Sequence, residues 1–179
     1  MKLLALVLFL GLSLGDTLAS DLPELKAILA RYDQSKFATD ESLREKFVMD
    51  LASLRWTLAV RGDDGWQDVD AELRRHPAPP NTDAFLTARQ GKWISPRHDY
   101  LYRADGTWVM DPDAGDANPT HGTWSIKGNQ YFESVDVVAE KGRAYTIILL
   151  DAGNFIYAQG NTTFYEKRPG IVGLQLRPE

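Results

Sequence analysis

Two copies of the sequence Gly-Thr-Trp constrain the fold of this chain more than any other feature. In the second copy, the apolar Trp124 and Ile126 alternate with polar residues along His121–Lys127. This alternation is typical of a β-strand that is buried on one face only. The next two residues, Gly128–Asn129, tolerate the backbone of a tight turn. The chain is therefore predicted to fold back at once as a neighbouring strand.

The first copy, Gly106–Trp108, follows Asp105. We expect both copies to have the same form, in which a turn leads into Gly-Thr-Trp and the chain then continues as a strand. The hypothesis is that the indole rings of Trp108 and Trp124 lie in the core of an antiparallel meander. Alternating patterns continue from Gln90, and the turns between them are short and contain Gly or Asn. Such turns suit hairpins and leave no room for crossover helices, so the sheet is predicted to be antiparallel. The candidate strands are Gly91–Ile94, Asp99–Arg103, Thr107–Met110, Gly122–Lys127, Gln130–Val138, Arg143–Leu150, Asn154–Gln159 and Thr162–Lys167.

The region before the strands has helical periodicity. A first helix is predicted from Pro23 to Phe37, and a second is predicted to begin after the capping residue Asp40 and to end at Gly62. A third, shorter helix follows, and three prolines then predict a linker. The predicted divisions are a signal peptide (1–19), a helical region (20–76), a linker (77–89), an antiparallel β-meander or barrel (90–169) and a tail (170–179).

The beginning of the chain predicts export. A basic start precedes an apolar run, Leu3–Leu14, and small residues follow, with a predicted cleavage after Ala19. This is the pattern of a secretory signal peptide, so the protein is expected to be secreted or periplasmic, with no stable membrane span after cleavage. The chain has no cysteine, so it relies on its core alone. Its net charge of −5 argues against nucleic acid as a partner.

The chain resembles a loose group of secreted bacterial proteins of unassigned function, in which a helical hairpin precedes a lipocalin-like β-meander. The resemblance rests on the runs Gly91–Trp93, Asp105–Trp108 and Gly122–Asn129, with Tyr32 and Asp70–Leu73 among the matching helical positions. It implies an α+β fold, in which the N-terminal helical hairpin is followed by an antiparallel β-meander that forms a barrel or half-barrel. It also implies export, and it implies no catalytic residues.

Aromatic richness suggests the function. Trp and Tyr residues are frequent in the predicted strands, and such rings either stack a ligand at a barrel mouth or fill the interior of a small barrel. For Trp108 and Trp124 we favour the filling role. The candidate ligand-binding residues are Trp93, Tyr100, Tyr102, Tyr131 and Tyr157. The leading hypothesis is an exported, non-catalytic binding module for a small apolar or carbohydrate ligand, or for an envelope protein.

Two other functions stay open. His98, Asp99 and His121 are candidates for a hydrolase or metal-dependent enzyme, if their side chains converge. The helical hairpin is a candidate docking surface of a structural or interaction module. No catalytic residue, metal site or cofactor is predicted. The chain has neither cysteine nor a Gly-x-Ser-x-Gly sequence for nucleophilic catalysis, and its histidines lack the His-x-x-x-His spacing of a helical metal site. The carboxylates of Glu133 and Asp136 are expected on the exposed face of a strand.

Overall fold

The structure is a computed structural model, and it describes residues 22–113, 115, 119–136 and 142–170. The predicted signal peptide and nearly all of the predicted tail lie outside the described residues. The described chain consists of four α-helices followed by eight antiparallel strands, which form a closed barrel. The predicted fold class, α+β with an antiparallel barrel, is therefore confirmed.

The barrel is a simple meander, in which each strand pairs with the next and the first pairs with the last. The alternating patterns predicted the strand bounds closely, because the turns between strands are short. The strands are β1 (Gly91–Ile94), β2 (Asp99–Tyr102), β3 (Thr107–Met110), β4 (His121–Lys127), β5 (Gln130–Val135), β6 (Arg143–Leu150), β7 (Asn154–Gln159) and β8 (Thr162–Lys167).

The helices are α1 (Pro23–Arg31), α2 (Glu41–Arg61), α3 (Trp66–Arg74) and α4 (Thr82–Arg89). The first helix is shorter than predicted, and a separate 3-10 turn covers Gln34–Lys36. Asp40 caps α2 as expected, since its side chain accepts a hydrogen bond from the Leu43 amide. Gly62 ends α2 with a φ of 70°. Helix α4 lies within the segment that was predicted as a linker.

Helices α2 and α3 pack against the outer face of the barrel at β6 and β8, and α1 packs against α2 in the same apolar cluster. Fully buried residues of α2, such as Phe47 and Leu51, share one apolar cluster with outward-facing Ile148 and Ile156. The apolar face of α2 is therefore occupied by the barrel. Strand β6 is covered on both sides, as its two apolar faces predicted.

Helix α4 closes one end of the barrel. Phe85 joins the interior aromatic cluster, and the Thr82 hydroxyl accepts a hydrogen bond from the Gly128 amide in the β4–β5 turn at 2.7 Å. At the same end, the Arg168 guanidinium donates to the Ala88 carbonyl at 2.7 Å. The guanidinium carbon Cζ of Arg168 also lies 4.6 Å from the centroid of the Trp93 ring. The opposite end of the barrel carries the longer β3–β4 and β5–β6 connections.

Both indole rings at the Gly-Thr-Trp repeats point inward, with 2% of Trp108 and 5% of Trp124 exposed. The two glycines differ, however, and the expected equivalence of the repeats is wrong. Gly106 lies in a turn with a φ of 81°, whereas Gly122 lies within β4. A Cβ on Gly122 would collide with the Ser134 carbonyl oxygen, so only glycine allows β4 and β5 to approach so closely.

Candidate functional site

A cavity of about 260 Å³ opens at the end of the barrel opposite α4. It lies near the mouth of the barrel, among residues of β2, β3, β5, β6, β7 and β8 and of the connection that leads into β4. An engineered apolar cavity of about 150 Å³ is large enough to hold benzene. The lining residues are Tyr100, Trp108, Met110, Thr120, Glu133, Ser134, Val135, Arg143, Tyr145, Tyr157 and Phe164.

A buried ion pair lies between the cavity and the closed end. Arg89, at the last position of α4, is fully buried inside the barrel and donates to both carboxylate oxygens of Glu166, at 2.6 and 3.1 Å. The Tyr157 hydroxyl donates to the same carboxylate at 2.7 Å. The guanidinium also lies over the Tyr102 ring at 3.5 Å and the Phe155 ring at 4.2 Å. These contacts pair the two charges, and the surrounding aromatic rings pack the deeper half of the interior. Among the described residues, the buried Arg89 Nε has no hydrogen-bond partner.

The cavity has two aromatic walls. On one side, the Tyr100 and Trp108 rings meet edge to face, with their centroids 5.8 Å apart. On the other side, Tyr157 stacks on Phe164 at 5.2 Å, and Tyr145 meets Tyr157 edge to face, also at 5.2 Å. Rings fixed by such contacts present rigid faces and edges to whatever enters the cavity.

Trp108 owes its place in this wall to Gly122. In the sheet register, Trp108 lies opposite Gly122, which in turn lies opposite Val135. Because Gly122 has no side chain, the Trp108 indole NH donates to the Ser134 carbonyl on β5 at 3.2 Å. A Cβ at Gly122 would lie 2.9 Å from that indole nitrogen. The missing side chain thus allows the indole to cross β4 and shape the cavity.

Glu133 is the single carboxylate among the described residues that line the cavity. It lies on β5 between the two aromatic walls, opposite Trp124 on β4 and Arg143 on β6. Burial raises the pKa of the Glu133 carboxyl to about 7, although the positive charge of Arg89 opposes this increase. A carboxyl with this pKa changes its charge near neutral pH. The expectation that Glu133 lies on an exposed strand face is wrong, because its side chain faces the barrel interior.

The structure divides the five candidate binding residues into two groups. Tyr100 and Tyr157 line the cavity. Trp93, Tyr102 and Tyr131 are each at most 2% exposed and lie deeper, around the Arg89 guanidinium. A ligand in the cavity would reach the first group, whereas the second forms the packed interior beneath it. Binding by any of these residues stays a prediction.

Sequence reasoning did not place Trp108, Tyr145, Phe164 or Glu133 at a ligand site. The alternation of side chains along each strand could have placed them, because residues two apart on a strand point to the same face. In β5, however, Tyr131 and Phe132 are adjacent aromatic residues, and either could have marked the interior face. Phe132 turned out to be the exposed one, at 38%.

The residues of the alternative catalytic hypothesis have separate partners. The His98 ring bonds the Asp111 carboxylate at 2.8 Å, and the His121 ring lies 3.6 Å from Asp136. Asp99 lies 3.4 Å from the Lys92 ammonium. Within the part of the chain that the structure describes, no group of three His, Asp or Glu residues is placed to hold a metal ion.

A second depression, of about 410 Å³, lies along the outer face of β4 and β5. Phe132 supplies its exposed aromatic ring, and the hydroxyls of Thr123, Ser125 and Ser134 surround that ring. The depression is more open than the mouth cavity and offers a ligand fewer rings. The mouth cavity is therefore the stronger candidate site.

No protein-family model, curated protein or solved structure matches this chain. Among the described residues, no helix combines the length and the apolar character needed to cross a membrane. The case for a function therefore rests on the geometry of the cavity.

Proposed function

We propose that this chain is an exported, non-catalytic binding protein that holds a small ring-bearing molecule in the mouth of its barrel. The observation that carries the proposal is the cavity of about 260 Å³ between two aromatic walls. Ligand sites are commonly concave and mainly apolar, with a few convergent polar groups. Here Glu133 and Arg143 are the charged groups of the lining.

The lining favours an apolar or aromatic ligand body over a sugar. Aromatic and aliphatic side chains form both walls, while Thr120 supplies the uncharged polar side chain and Ser134 borders the cavity with its backbone. A sugar would need hydrogen-bond partners for several hydroxyl groups, and a hydroxyl buried without a partner is unfavourable. Export, inferred from the apolar run near the start of the chain, would place the protein where it meets ligands outside the cytoplasm.

A cavity-filling substitution tests the proposal. Val135 lines the cavity, so Val135→Trp is expected to occupy its space and to reduce the binding of small ring compounds at least tenfold. Val60, which is 55% exposed on α2, provides the matched control Val60→Trp. Calorimetric titration with 2-phenylethanol and 2-phenylethylamine measures the affinities, and circular dichroism checks that both variants fold.

The wild type and Val60→Trp are expected to bind alike, and Val135→Trp is expected to bind at least tenfold more weakly. Equal affinity in all three proteins would place any binding outside the cavity and contradict the proposal. Met110→Trp fills the same cavity from β3, so it provides a second test if Val135→Trp does not fold.

A further inference from the structure

We infer, building on the proposed binding function, that the ligand of the mouth cavity is an organic cation, an amine attached to a ring, whose ammonium group pairs with Glu133 between the aromatic walls. Three features of the site favour such a ligand: the faces of the rings, the position of the carboxylate, and the existing partners of the nearby cations.

The rings provide the first feature. The face of an aromatic ring carries partial negative charge and attracts a cation within about 6 Å of its centroid, most strongly when water is excluded. Tyr145, Tyr157 and Phe164 meet at 5.2 to 5.6 Å on one wall, and Tyr100 and Trp108 form the other. The interior already holds a cation in this way at a deeper level, where Arg89 lies over four aromatic rings.

The position of Glu133 provides the second feature. Its carboxylate is the one acidic group of the described lining, and it lies on β5 between the two walls. A cation that contacted the rings would therefore lie beside a negative charge in a partly enclosed site. Such pairs are stronger than pairs in bulk water, because the low polarity of the site screens them less.

The existing partners of the nearby cations provide the third feature. Arg89 is held by both oxygens of Glu166. Arg143 lies opposite Glu133 in the sheet register, but it is exposed at the rim and also bonds the Tyr145 hydroxyl. A ligand ammonium inside the cavity would add its charge to that of Arg143 at the half-buried Glu133 carboxylate.

The ionisation of Glu133 supports this assignment. Its pKa is raised to about 7 although Arg89 and Arg143 both act to lower it, so these two charges do not offset the effect of burial. A bound ammonium would add a further positive charge beside Glu133 and so offset the effect of burial on its carboxyl. The other ionisable groups that face or influence Glu133 are Glu166 on β8, Tyr131 on β5, Tyr145 on β6, Tyr157 on β7, and Tyr100 and Tyr102 on β2.

Three probes of similar shape test the ligand class: 2-phenylethylamine, 2-phenylethanol and 3-phenylpropanoate. They share a ring and a short chain, and they differ in carrying a positive charge, no charge and a negative charge. At pH 8 the amine is expected to bind at least tenfold more tightly than the alcohol, as measured by calorimetry. At pH 5.5 the amine is expected to bind about 30-fold more weakly than at pH 8, because the fraction of Glu133 that is ionised falls by that factor.

Glu133→Gln keeps the shape of the side chain and removes its charge. We expect this variant to bind the amine and the alcohol alike and to lose the dependence of amine binding on pH. Asp136→Asn is the matched control, since Asp136 lies just beyond the end of the same strand and its side chain is half exposed to water. The control is expected to change amine affinity by less than about twofold, because exposed charges are screened by salt.

The results of these experiments distinguish this inference from the proposed binding function on which it rests. Equal binding of amine and alcohol at pH 8, or amine binding that does not change between pH 5.5 and pH 8, would overturn the inference and leave the binding function standing. Preference for 3-phenylpropanoate would overturn it as well and would point to Arg143 as the recognising group. Failure of all three probes to bind at millimolar concentration would count against the binding function itself.

Discussion

Arg89 and Glu166 form a two-point ion pair at the centre of the barrel, with nitrogen–oxygen distances of 2.6 and 3.1 Å and almost no exposure to water. Burial by itself would lower the pKa of the Arg89 guanidinium, but the charge of Glu166 reverses this, and the pKa lies above its ordinary value. The guanidinium therefore remains charged inside an otherwise aromatic interior. The pair links α4 to β8 and forms the base on which the mouth cavity rests.

Removal of one member of this pair is expected to destabilise the fold strongly. Arg89→Met leaves the Glu166 carboxylate buried without its counter-charge, and such losses typically reduce the free energy of unfolding by about 3–5 kcal/mol. Chemical denaturation in urea measures the change. The double variant Arg89→Met/Glu166→Leu removes both charges and is expected to recover much of the loss. A loss of less than about 1 kcal/mol in the single variant would contradict this role for the pair.

Gly122 is expected to be intolerant of even a methyl group. Gly122→Ala places a Cβ against the Ser134 carbonyl oxygen and beside the Trp108 indole, so β4 and β5 must separate or the indole must move. We expect a loss of about 2–3 kcal/mol in the free energy of unfolding, together with a change in near-ultraviolet circular dichroism.

The control for this substitution is Gly160→Ala. Gly160 has a φ of 56° in the β7–β8 turn, and a Cβ there would meet no atom within 4 Å. Its expected loss is about 1 kcal/mol, from backbone strain alone. Equal losses at the two positions would show that the close approach at Gly122 has no special importance.

The charge of Glu133 is expected to make stability depend on pH. Its pKa is about 7 in the folded state, against an ordinary value of 4.5, so the folded protein binds this proton more tightly than the unfolded chain. The contribution to stability is therefore fully present below about pH 4.5 and is lost as the pH rises through 7. Glu133→Gln has no such charge, and it should become more stable than the wild type at high pH.

Thermal and urea unfolding at several pH values measure this difference. Between pH 4.5 and pH 8.5 the stability of Glu133→Gln relative to the wild type is expected to increase by up to about 3 kcal/mol. A difference that stays constant across this range would mean that the pKa of Glu133 is not raised in the folded protein.

The barrel could be predicted from the sequence because the residues that determine each strand and each turn are close together in the chain. Several strands alternate apolar and polar residues, and most of the turns carry Gly or Asn, so strand order and pairing follow from neighbours in the chain. Helix α4 was missed because it is only eight residues long and follows three prolines, which indicate a break in structure.

The interior ion pair could not be predicted in this way, because it joins residues that lie far apart in the chain. Arg89 and Glu166 are separated by 77 positions, and arginine is rarely fully buried, so neither residue looks like part of a core by itself. The cavity is similar in this respect. Its walls combine residues from several strands, and its volume depends on the missing side chain of Gly122, so the sequence predicted aromatic candidates but not their division between wall and packed interior.

Methionine methyl NMR shows whether a ring-bearing ligand enters the mouth of the barrel. Met110 lines the cavity, whereas Met49 packs among the helices on the outside of the barrel, and the chain has three methionines in all. With methyl-labelled methionine and 2-phenylethylamine added at pH 8, the ring current of the ligand is expected to shift the Met110 signal in a saturable manner and to leave the Met49 signal in place. A saturable shift of Met49 with no change at Met110, or no shift of either signal at millimolar ligand, would contradict this expectation.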